Sequence, residues 1–196
     1  MKKLSTLLLV MLTMMTGLDS AFAGEVPLLG NIYGRQNTQC LNGKWRYIVD
    51  VQECGFYDYR MKENPWGFFR DAHQQTPLDL VEYNFDTSET MNIPGDWNTQ
   101  DERLFFYEGS LWFRRVFNYS PKAGKRAILY FGAVNYEAVV YVNGNKMGTH
   151  IGGFTPFNYD VTEALHEGEN NVIVKVDNKR KVEGIPTNSF DWWNYG

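Results

Sequence analysis

The chain has 196 residues, with 19 Lys and Arg against 23 Asp and Glu, so its formal charge is −4. That mild negative balance excludes a nucleic-acid binder, which needs a basic stripe to neutralise phosphates. The 12 Tyr, 13 Phe and 6 Trp are many for this length. They suit either a strand-rich core or flat rings set against the apolar face of a sugar.

The first 23 residues read as an export signal. Lys2 and Lys3 precede the apolar run Leu4–Leu12, and Ala21-Phe22-Ala23 is a small-x-small cleavage site. The run is too short to span a bilayer, and no later run reaches that length, so no membrane contact is expected after cleavage behind Ala23. The expected location is periplasmic or secreted. Removing two Lys and one Asp (Asp19) would take the charge to −5.

One domain is expected from residue 24 to 196. It opens with an irregular lead over 24–40. Lys44–Val49 is a strand with Trp45, Tyr47 and Val49 on one face. Residues 52–89 show no sustained period and read as a long loop that is functional or packed down as a cover, with a short helix around Trp66–Gln74. Met91–Ile93 is a strand closed by the Pro94-Gly95 turn. Ser110–Tyr119 is a long strand, with Leu111, Phe113 and Phe117 sharing a face. Arg126–Ala133 and Ala138–Val142 follow, and Asn143-Gly144 is a hairpin signal, because a type I′ turn needs positive φ at both central residues. Lys146–His150 is the return strand. In Asn171–Asp177 the alternation puts Val172, Val174 and Val176 inside, and Lys175 and Asp177 outside. Short strands separated by turn residues, with almost no helix, predict an all-β fold: a jelly-roll sandwich of two antiparallel sheets.

Catalytic constellations are sparse. There is no phosphate loop, no G-x-S-x-G elbow and no H-E-x-x-H. His73, His150 and His166 lie far apart in sequence and read as surface or packed groups. Cys40 and Cys54 lack partners at metal-ligand spacing, so no metal or other cofactor is expected. Export would permit a disulfide between them, and spacing leaves that open.

Three blocks in order carry a resemblance: Leu41-Asn42-Gly43-Lys44-Trp45; the run from Ile128 to Thr162, with Val140-Tyr141-Val142-Asn143-Gly144, Gly152-Gly153-Phe154-Thr155-Pro156-Phe157 and Asp160-Val161-Thr162; and the tail Phe190-Asp191-Trp192-Trp193-Asn194-Tyr195-Gly196. Together they resemble the amino-terminal, galactose-binding-like domain of glycoside hydrolase family 2, in its β-glucuronidase and β-galactosidase branches. The resemblance implies a retaining exo-β-glycosidase in which an immunoglobulin-like domain and a (β/α)₈ barrel follow this one. Both catalytic glutamates would lie on that barrel. The chain stops at Gly196, where the second domain would begin, so no catalytic residue is expected in it. The resemblance places Asp191 against sugar hydroxyls, with Trp192 and Trp193 flooring the pocket, and the partner is a β-glucuronide or β-galactoside. The other reading is a stand-alone secreted sugar-binding module. Asn42-Gly43-Lys44 mimics a substrate-reading motif of the family's barrel, but here it opens the first strand and reads as a turn.

Overall fold

The structure, a computed structural model, describes residues 26–185, 187–189 and 195–196. Eight strands form the framework: β1 (Gly43–Asp50), β2 (Thr90–Ile93), β3 (Ser110–Tyr119), β4 (Ile128–Phe131), β5 (Glu137–Val142), β6 (Asn145–Ile151), β7 (Phe157–Asp160) and β8 (Gly168–Asp177). Six of them make one sheet in the order β2-β1-β3-β8-β5-β6, and β4 pairs with β7 in a second. Every pairing is antiparallel. This is the all-β arrangement that the alternating pattern predicts. Asn143 and Gly144 turn the β5–β6 hairpin with φ of 49° and 76°, the positive pair that a type I′ turn requires.

The register lays one apolar row on each face of the large sheet. Tyr47 faces Phe113, Phe113 faces Val174, and Val174 faces Val140. That row packs against Leu129, Phe131, Phe157 and Tyr159 of the small sheet. On the reverse face Ile48 lies opposite Trp112, Trp112 opposite Lys175, and Lys175 opposite Val139. Here the cover is the segment between β1 and β2. Its Phe69 and Phe85 are buried with Trp112, Tyr141 and Ile173, and Phe56 and Phe68 pack at the margin. Phe69 stacks on Tyr141 with ring centroids 4.6 Å apart. Each large apolar side chain buried this way stabilises the fold by about 1.5–3 kcal/mol, which is how so irregular a segment is held down.

The cover overturns the outward assignment of Lys175 and Asp177. They are only 5% and 8% exposed. Lys175 is sealed by the cover and keeps its charge by pairing with Glu53 at 3.1 Å. Asp177 accepts from the Ser110 hydroxyl at 3.3 Å and from the Lys179 backbone at 2.8 Å. Alternation sorts residues between two faces; it does not say that one face is wet.

Polar locks fasten both ends of the cover. At its start, Asp50 accepts from the Trp112 indole at 2.9 Å and from Gly55 N at 3.0 Å. Toward its end, Arg114 of β3 pairs with Asp71 at 3.0 Å and Asp86 at 2.6 Å. The helix expected over Trp66–Gln74 is only a 3₁₀ turn at Phe68–Arg70, closed by Asp71 at φ 50°. Pro65 and Gly67 flank Trp66, and neither favours continued helix. The strand expected over Arg126–Ala133 shortens to β4, because Ala127 N is taken by the Thr162 hydroxyl at 2.9 Å. Cys40 and Cys54 are both free, exposed thiols, and Cys54 contacts Asp50 at 3.4 Å.

Candidate sugar-binding rim

Two side-chain amides organise one end of the sandwich. After β2 the chain turns at Pro94-Gly95 and makes a single helical turn, α1 (Trp97–Gln100). Asp96 starts it by accepting from Thr99 N at 2.8 Å, the usual service of an acidic N-cap. This turn presents Trp97 and Asn98 inward, both buried. The Asn98 amide nitrogen donates to the carbonyls of Leu104 at 2.8 Å, Tyr107 at 3.0 Å and, more weakly, Phe105 at 3.3 Å. Its oxygen accepts from Gly196 N at 3.0 Å. Trp97 N closes the pair by donating to Gly196 O at 2.9 Å.

Asn135 is the second amide. Its nitrogen donates to Tyr195 O. A Cβ on Gly153 would meet its oxygen at 2.4 Å, so the Gly152-Gly153 turn must pass bare beside it. Gly152 N also donates to Tyr136 O at 2.9 Å. Beyond the turn, the imidazole of His150 stacks on Phe157 at 4.1 Å and lies 3.1 Å from both Gly152 O and the Thr155 hydroxyl. Thus the Gly152–Phe157 block and the chain at Tyr195–Gly196 meet at one rim. Asp191, Trp192 and Trp193 lie outside the described residues, as do residues 1–23 of the expected signal. Sequence reading missed Asn98 and Asn135. A Pro-Gly turn followed by the cap pattern Asp96-x-x-Thr99 was the available signal for α1; an isolated Asn carries none.

An open groove of about 420 Å³ lies nearby, lined by Tyr47, Tyr83, Asn84, Ser88, Glu89, Asp101 and Arg103 among others. The Tyr47 hydroxyl stands 2.6 Å from Glu89 and 2.8 Å from Asp101. Arg103 forks onto Asp101 at 2.6 and 2.9 Å and also reaches Glu89. The Arg103 hydrogen bonds hold Asp101 well below the usual carboxylate range. Those from Tyr47 and Arg103 lower Glu89. Burial, helped by both acids, pushes the Tyr47 phenol above its ordinary value. Glycoside hydrolysis needs one carboxyl kept protonated as the acid. Both acids here are held ionised, so this groove does not supply one.

The histidines do not converge. His73 sits between Asp86 at 2.7 Å and Asp71 at 3.3 Å under the cover, His150 packs at the rim, and the His166 backbone is tied to Asn170 at 3.0 Å. Among the described residues no group of three or more His, Cys, Asp or Glu could hold a metal ion.

Residues 38–196 match the profile of the sugar binding domain of glycosyl hydrolases family 2. The chain belongs to that family. The family 2 domain is 32% identical over 151 residues to a β-glucuronidase of Paenibacillus borealis, covering 74% of this chain and 22% of that protein. A solved β-glucuronidase from an uncultured Clostridium superposes with a TM-score of 0.62 at 31% identity, over 79% of this chain and 26% of that one. The Bifidobacterium dentium β-glucuronidase, solved with coumarin-3-O-glucuronide, gives 0.57 at 34% identity, over 75% and 21%. The chain spans about a fifth of the length of the curated relatives it matches.

Proposed function

We propose that this domain forms one wall of the sugar pocket of an exported, retaining exo-β-glycosidase of the β-glucuronidase type. In this reading Asp191 holds sugar hydroxyls, Trp192 and Trp193 floor the pocket, and the acid and nucleophile glutamates come from a barrel domain of the enzyme. A carboxylate suits the task because it accepts charge-assisted hydrogen bonds from two adjacent hydroxyls. The observation that carries the reading is the anchoring of Tyr195 and Gly196 by Asn135 and Asn98. It ties the motif that bears Asp191 to the rim formed by α1 and the Gly152–Phe157 block. The similarity to β-glucuronidases favours a glucuronide over a galactoside.

Saturation-transfer NMR on this chain with methyl β-D-glucuronide and methyl β-D-galactoside tests it. A few charge-assisted hydrogen bonds, at about 1.5–3 kcal/mol each, support binding in the millimolar range. The expected result is transfer to the glucuronide, none to the galactoside, and loss in Asp191→Ala. No turnover of a chromogenic β-glucuronide is expected from the chain by itself. Undiminished glucuronide binding by Asp191→Ala would remove Asp191 from the site.

A further inference from the structure

Phe105 and Phe106 follow the 3₁₀ turn Glu102–Leu104 and are 45% and 68% exposed, while Leu104 beside them is buried. Their rings meet edge to face, with centroids 4.7 Å apart and planes at 89°. An aromatic pair left so open forgoes burial that the adjacent core could give it.

The backbone under these rings is rigid. Asn98 holds the carbonyls on either side of Phe106, the Trp97 indole donates to Tyr107 O at 3.2 Å, and Tyr107 N closes onto Leu104 O at 2.9 Å. Because one Asn98 amide serves both segments, the Phe105–Tyr107 carbonyls lie within about 9 Å of Gly196 N. The phenyl pair therefore stands on the same support as the chain that follows Asp191-Trp192-Trp193.

We propose that Phe106 is a sugar-contact residue: its ring takes the apolar C–H face of the pyranose whose hydroxyls Asp191 binds, and Phe105 buttresses it edge-on. The inference rests on the reading of Asp191 given above. A pyranose presents polar edges and an apolar face. A carboxylate and a phenyl ring on one rim match those two surfaces, and a ring without a hydroxyl suits the face and not the edge.

The test is saturation-transfer titration of the chain with methyl β-D-glucuronide, comparing Phe106→Ala, Phe106→Trp and Asp191→Ala. The expected result is about a five-fold weaker Kd in Phe106→Ala, with transfer to the ring C–H protons reduced most, and near-native binding in Phe106→Trp. Phe106 is exposed, so an unchanged thermal midpoint should accompany the loss. If Phe106→Ala binds like the unaltered chain while Asp191→Ala does not, the platform is overturned and the Asp191 reading stands. If Asp191→Ala binds normally and Phe106→Ala does not, the platform stands and the Asp191 reading fails. Absence of transfer to the unaltered chain overturns both.

Discussion

Replacing Asn98 by alanine probes the rim where the argument is most exposed. The side chain is 4% exposed and makes hydrogen bonds to Leu104 O, Tyr107 O and Gly196 N at 2.8–3.0 Å, with a longer one to Phe105 O. Asn98→Ala removes all of them and leaves the buried Leu104 carbonyl without this donor. One stranded buried group costs about 1–3 kcal/mol and each ordinary hydrogen bond contributes about 1 kcal/mol, so the expected loss is about 3 kcal/mol. For a domain of this size that is roughly 6–12 °C in the thermal midpoint. Urea unfolding with linear extrapolation, paired with a thermal scan, measures it. Asn98→Asp should be worse than alanine: it keeps the acceptor for Gly196 N but aims a buried anion at carbonyl oxygens. A loss below about 1 kcal/mol, or a more stable aspartate than alanine variant, would refute the claim that this amide organises the rim.

Three further outcomes are expected. Arg114→Met strands the buried carboxylate of Asp71 and should cost about 3–5 kcal/mol in urea unfolding, with part restored in the Arg114→Met, Asp71→Asn double variant. Gly153→Ala drives a methyl group into the Asn135 amide and should both lower the thermal midpoint and weaken glucuronide transfer. Burial, with the charges of Asp50 and Asp177 nearby, pushes the Tyr107 phenol up to about 12. Its folded value exceeds its unfolded one, so the stability it contributes is complete below about pH 10 and is lost as pH rises from 10 toward 12. Denaturant midpoints from pH 8 to 11.5 should fall accordingly, and Tyr107→Phe should flatten part of that decline.

The strands were legible because their side chains obey a period of two. Val172, Val174 and Val176 enter the core together, and Asn143-Gly144 makes the hairpin that its dipeptide calls for. The second buried face was not legible. Nothing local to Lys175 or Asp177 signals that Phe69 and Phe85 will return from far along the chain to cover them. β7 went unassigned because Phe157–Asp160 is short and mixes Asn and Asp with its two rings. At the rim, the Gly152–Phe157 block was visible as a motif, whereas Asn98 and Asn135 act through backbone groups distant in sequence, a role that leaves no periodic trace.

The two ends of the architecture rest on different chemistry. The cover is held to its sheet partly by carboxylates, guanidinium and ammonium groups, whose attraction depends on protonation and is weakened by counter-ions where solvent reaches. Asn98 and Asn135 carry no charge and do not titrate. The domain should thus loosen first along its back when acidity or ionic strength departs from neutral, dilute conditions, while the edge meant for sugar keeps its shape.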